Sequence, residues 1–169
     1  KPVTGASVSF QAGTSSVSEA VALHNVTVVL TTASPSPCPV HVEFAMYPGT
    51  AEAGRDFLAV GGTVTFPPNA GNGATQVIPA TILDDLLDED DESFTLQLSG
   101  AGSSTQHLFT ILDDDPTPLA SIGPATTSVP EGDVGLAAVD LTVSLSAPSG
   151  RVVTASYATS AGTATSGLD

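Results

Sequence analysis

Tryptophan is absent from this 169-residue chain and aromatic residues make up only 5 % of it, so any packed interior has to be built from small β-branched and aliphatic side chains. Cysteine occurs once, at Cys38, which excludes an internal disulfide and leaves the redox compartment open. Cations are scarcer still: Lys1, Arg55 and Arg151 face 18 acids, for a net charge of -15. No basic patch can form to neutralise phosphates, so nucleic acid and anionic membrane surfaces are excluded as partners. There is no apolar run of about 20 residues, so no direct membrane insertion is expected. The opening KPVTGASV lacks the charged, apolar and small-residue sections of a signal peptide, and the chain reads as a soluble fragment of something longer. No segment carries a convincing 3.6-residue apolar stripe, which argues against helices.

Alternation with period two is what the chain has instead. Val26, Val28 and Leu30 share one face of 25–30, and Val40, Val42, Phe44 and Met46 share one face of 40–46. Further strands are expected at 7–10, 62–66, 75–83, 93–98 and 106–112, separated by turn-rich stretches such as SPSPCP and PPNAGNG. Seven short strands in this pattern, with 41 % hydrophobic residues to fill a core, predict an all-β fold, a seven-stranded antiparallel sandwich of the immunoglobulin-like kind. Pro79 falls inside an otherwise good strand and cannot donate to a ladder, which places that strand at a sheet edge or a bulge.

The acids are concentrated. Ten of the 18 lie in 84–92 and 113–115, and the stretch TILDDLLDEDDESF holds seven with no Lys or Arg among them. Such a run either spreads into water or is neutralised by a cation. Carboxylates such as Asp114 and Glu92 have a further option, capping loops by accepting backbone N–H bonds. An all-oxygen ligand set favours calcium over zinc or copper, and magnesium prefers to keep its waters. Neither an EF-hand string nor a glycine-rich nonapeptide repeat is present.

The chain also repeats itself. Residues 33–56 align without a gap on 146–169, an offset of 113, so that GTAEAGRD answers GTATSGLD. VSEA at 17–20 answers VPEG at 129–132, and Val26, Val28 and Leu30 fall against Val139, Leu141 and Val143. The unit is about 112 residues long. A complete domain is expected at 1–115, a linker at 116–118, and the first half of a second repeat at 119–169, either truncated or completed by strands of another chain.

These residues resemble the Calx-β repeat family. Glu19, GTAEAGRDF (49–57), GTVTF (62–66), ILDDLLDEDDESF (82–94) and ILDDD (111–115) meet the family pattern in order across the first unit, with Leu86 where a third Asp is more usual. The resemblance implies a sandwich whose loop carboxylates hold Ca2+ at one end. Transferred by position, the metal ligands would be Glu19, Asp56, Asp84, Asp85, members of the 89–92 run (Glu89, Asp91 and Glu92), and Asp113, Asp114 and Asp115. Calcium would then be the missing counter-charge.

Other chemistry is less well supported. His24, His41 and His107 lie in expected strands and no nucleophile-elbow motif accompanies them, so no enzymatic activity is expected. Asn25 in NVT is a formal glycosylation acceptor, and Cys38 a candidate crosslink or an inert thiol. The function expected is a calcium-binding structural or adhesive module of a large extracellular or cell-surface tandem-repeat protein, in which calcium stiffens the junction between repeats. Its partners would be neighbouring repeats, a strand-completing copy, and a cell-surface or matrix protein. The alternatives are a calcium sensor of the sodium/calcium-exchanger kind and a calcium-free spacer or filament subunit.

Overall fold

The computed structural model describes residues 5–101, 103–130 and 132–164; Lys1, Glu131 and the 165–169 stretch with Asp169 lie outside the described residues. Every regular element among them is a strand. The chain divides into two units, the first comprising Lys1–Asp85 and Asp90–Asp114, the second Leu86–Glu89 and Asp115–Asp169. Residues 86–89, which the repeat assigns to the acidic loop of the first domain, thus group with the second unit.

The first unit contains β1 (Ala6–Phe10), β2 (Thr14–Ser18), β3 (Leu23–Thr32), β4 (Val40–Pro48), β5 (Gly61–Phe66), β6 (Thr75–Thr81), β7 (Glu92–Gly100) and β8 (Ser103–Leu112). One sheet has the order β1-β3-β6 and the other β2-β8-β7-β4-β5. All seven segments expected from their alternation are strands. The eighth, β2, has only Val17 as an aliphatic residue and pairs parallel to β8. It exists because the chain changes sheets just before it. Gln11 N–H donates to Thr27 O (3.0 Å) on one side of the crossing, and Leu108 N–H donates to Gly13 O (3.0 Å) on the other.

The alternating side chains of both sheets meet in one core. Val8, Val26, Val28, Leu30 and Ile78 come from the three-stranded sheet, and Val42, Phe66, Leu96, Leu98 and Ile111 from the five-stranded one. At its centre Phe94 lies between Phe57 (centroids 4.0 Å apart, planes 6° apart) and Phe109 (4.8 Å). All three rings are fully buried. The few aromatic residues are therefore spent mainly inside, where each such side chain contributes about 1.5–3 kcal/mol. Pro79 sits opposite Asn25 on β6, the edge strand of its sheet, with its ring exposed, as its missing N–H requires.

The second unit contains β9 (Ala120–Gly123) and β10 (Thr142–Leu145), an antiparallel pair. Its pairing reproduces that of β1 with β3. Val8↔Leu30 and Ser7↔Thr31 in the first unit answer Ile122↔Val143 and Ser121↔Ser144 in the second. The local sequence ASV at 6–8 likewise answers ASI at 120–122.

Candidate metal centre

The site starts from the ends of strands. The parallel ladder of β2 and β8 runs to Ser18↔Leu112, and Glu19 N–H then donates to Leu112 O (3.0 Å). Glu19 therefore leaves β2 beside the acids that leave β8. Ser18 Oγ donates to Asp114 Oδ2 (2.7 Å) and holds that carboxylate in place. After β6, Ile82 N–H donates to Ala22 O (3.1 Å) and Leu83 N–H to Asp56 O (2.9 Å), which delivers Asp84 to the same end of the sandwich.

The result is a cluster of three carboxylates, Glu19, Asp84 and Asp114, with oxygens all within 4.8 Å of one another. Glu19 is only 8 % exposed, whereas the other two reach solvent. Charges at such a separation repel by roughly 3 kcal/mol per pair at an effective dielectric of ~20, less where water screens them. A cation reverses the sign. Calcium–oxygen distances of about 2.3–2.6 Å put oxygens on opposite sides of one ion about 5 Å apart, so the span of the cluster fits Ca2+, and the donors are all hard oxygens.

Several of the other residues named from the family pattern have hydrogen-bond partners of their own. Asp56 is buried, but its Oδ2 accepts from Glu52 N–H (2.6 Å) and closes the 52–56 turn, with Arg55 Nε 3.9 Å from Oδ1. Its backbone carbonyl, rather than its carboxylate, positions the strand end that carries Asp84. Asp91 Oδ1 accepts from Asp113 N–H (3.2 Å), a loop-capping role of the kind open to any of these acids. Asp85 and Glu92 are half-buried, Glu92 as the first residue of β7. Glu89 and Asp115 belong to the second unit, where Glu89 lies so close to Gly150 that a β-carbon there would collide with its carboxylate.

Asp88 corrects the picture of an acidic run whose counter-charge is entirely calcium. Within the second unit its buried carboxylate pairs with the Arg151 guanidinium, accepts from Ser149 Oγ (2.9 Å) and from Thr117 Oγ1 (3.2 Å), and is only 2 % exposed. The hydrogen bond from Arg151 holds the Asp88 carboxyl below its ordinary range, against the burial that would raise it. Nothing in the spacing announces this partner, 63 residues away.

One Ser–His contact does form. Ser15 Oγ lies 2.8 Å from His107 Nε2, and His107 Nδ1 lies 2.8 Å from the Ala12 carbonyl oxygen. The carbonyl can only accept, so Nδ1 carries a proton, and in the neutral imidazole Nε2 accepts from Ser15. The imidazole is buried, its ring 5.2 Å from that of Phe10, and it ties down the backbone crossing between β1 and β2.

Fold and site together define an all-β sandwich module with a carboxylate-lined end. The Calx-beta domain model matches residues 4–115 and again 113–169, and the chain belongs to that family. Solved structures agree. The apo-form Calx CBD1 domain is 29 % identical with a TM-score of 0.59, the match covering 66 % of this chain and 99 % of that one. The calcium binding domain CBD12 of CALX1.1 is 30 % identical with a TM-score of 0.57, covering 64 % and 45 %. The Calx CBD2 domain, 17 % identical with a TM-score of 0.52 over 63 % and 86 %, shares the fold. No curated protein sequence matches the chain.

Proposed function

We propose that the chain is a calcium-binding module, not an enzyme, and that Glu19, Asp84 and Asp114 form the heart of its site. The observation that carries this reading is their convergence from three separate loops onto one point. Asp113, next to Asp114 in sequence, is the natural source of further oxygens for an ion that takes about six to eight. The proposed setting is an extracellular or cell-surface protein built from tandem copies of this domain, whose neighbouring repeats are its partners. The internal repeat supports it. Calcium would there serve to stiffen the array.

Titration calorimetry on the full chain tests the reading. One or more saturable calcium events that disappear in Glu19→Gln support it, and an absence of heat at millimolar calcium overturns it. A regulatory sensor is the second reading, favoured by the likeness to a calcium binding domain of CALX1.1. Affinity separates the two, because sensors bind at about 10⁻⁷–10⁻⁵ M and extracellular modules at about 10⁻⁴–10⁻³ M.

A further inference from the structure

Ser18 stands between two of the three clustered carboxylates. It is the last residue of β2, and the ladder sets it opposite Leu112, so its backbone is fixed where Glu19 leaves one strand and the 113–115 acids leave the other. Three hydrogen bonds run through it. Val21 N–H donates to Ser18 O (3.0 Å) and closes the turn that carries Glu19. Ala20 N–H donates to Ser18 Oγ (3.3 Å), and Ser18 Oγ in turn donates to Asp114 Oδ2 (2.7 Å). The hydroxyl thus has its proton and one lone pair both assigned, and it cannot turn away from Asp114 without giving up two contacts.

Asp114 needs this hold more than Glu19 does. Glu19 is buried, whereas Asp114 is exposed on the loop that follows β8. With like charges beside it and water within reach, a carboxylate free to rotate turns outward, and ordering it again when an ion binds costs affinity. The hydroxyl fixes Asp114 before the ion arrives and uses only one of its acceptor sites. The second copy of the repeat has no such group at this position. VSEA at 17–20 answers VPEG at 129–132, so Pro130 stands where Ser18 does, with no hydroxyl to donate.

On the reading of Glu19, Asp84 and Asp114 as a calcium site, we propose that Ser18 is its positioning residue. Its side chain touches no ion. It sets the affinity of the site by holding Asp114 toward Glu19 in the ion-free protein, through the chain of contacts from Ala20 N–H to Asp114 Oδ2. Residues that orient a metal ligand in this way typically govern affinity by about 10- to 100-fold, and the exposure of Asp114 puts Ser18 at the lower end.

The test is calcium titration calorimetry on the full chain, paired with melting in chelator. Ser18→Ala should weaken calcium binding about tenfold. Its Tm in chelator should shift by less than about 3 °C, because the ladder of β2 does not depend on the hydroxyl. Ser18→Thr keeps the hydroxyl in a strand that accepts β-branching, and should bind within about twofold of the parent. Ser16→Ala, at an exposed position of the same strand, should leave affinity unchanged. Parental affinity in Ser18→Ala, or Ser18→Thr binding as weakly as Ser18→Ala, overturns the proposal and leaves the site standing. A parent chain with no calcium heat, or a calcium heat that survives Glu19→Gln, overturns the site itself and the role of Ser18 with it.

Discussion

The strand pairs β1–β3 and β9–β10 have the same register and opposite surroundings. Val8 and Leu30 are each 1 % exposed, whereas Ile122 and Val143, their counterparts, are each 55 % exposed. Hydrogen bonding between two neighbouring strands is therefore set locally by an alternating sequence with compatible ends. Burial is not. It requires the second sheet, and in the first unit that sheet is assembled from β2, β4, β5, β7 and β8, four of which follow β3 in the chain. A two-stranded ribbon alone gains little from its apolar side chains, since a sheet face contributes only when another layer covers it.

The strongest way to break this comparison is to hollow the covered core. Phe94→Ala removes the middle ring of the Phe57–Phe94–Phe109 stack and should cost about 3–5 kcal/mol in denaturant unfolding of the first unit. Leu30→Ala, in the strand shared by both comparisons, should cost about 2–5 kcal/mol in the same measurement.

Calcium comes next. At 100 times its dissociation constant, an ion bound only to the folded form should stabilise the first unit by about 2.7 kcal/mol, visible as a rise in Tm reversed by a chelator. Glu19→Gln should abolish most of that rise. It should also raise the Tm in chelator, because one of three mutually repelling carboxylates is gone. If the variant melts lower than the parent in chelator and responds normally to calcium, the cluster is not the site.

Arg151→Gln sharpens the contrast within the second unit, where it leaves the buried Asp88 carboxylate without its guanidinium. Because the folded pKa of Asp88 is lowered, its pairing stabilises the unit above the ordinary carboxylate pKa, and that contribution is lost as pH falls through the folded value. The variant should therefore show faster amide exchange than the parent in the 115–151 region at neutral pH, and the two should converge as pH falls below the folded pKa of Asp88. The smallest effect belongs to Val143→Ala. At a position equivalent to Leu30 but more than half exposed, it should change stability by less than about 0.5 kcal/mol.

The residues that were legible in advance are those governed by short-range rules. Val26, Val28 and Leu30 declare β3 by alternation, and Pro79 declares an edge by its missing donor. β2 was not legible. TSSVS has almost no apolar signal, and it is a strand only because β8 offers it a parallel partner where the chain crosses between sheets. The acidic runs were visible as runs, and the family pattern named Glu19, Asp84 and Asp114 among ten candidates. Which three meet depended on the strand ends at Leu112 and Ile82.

Composition, alternation and self-alignment establish an all-β chain with a small aliphatic interior, one full and one partial copy of a repeat, and two concentrated sets of acids. The strands are legible there because side chains alternate along a single strand whatever lies beyond it. Tertiary structure decided the rest: that Asp88 is neutralised by Arg151, and that Glu19 converges with Asp84 and Asp114. A carboxylate's role depends on which charges and donors stand within a few ångströms of it, and residues tens of positions apart acquire that proximity only when the sheets fold together.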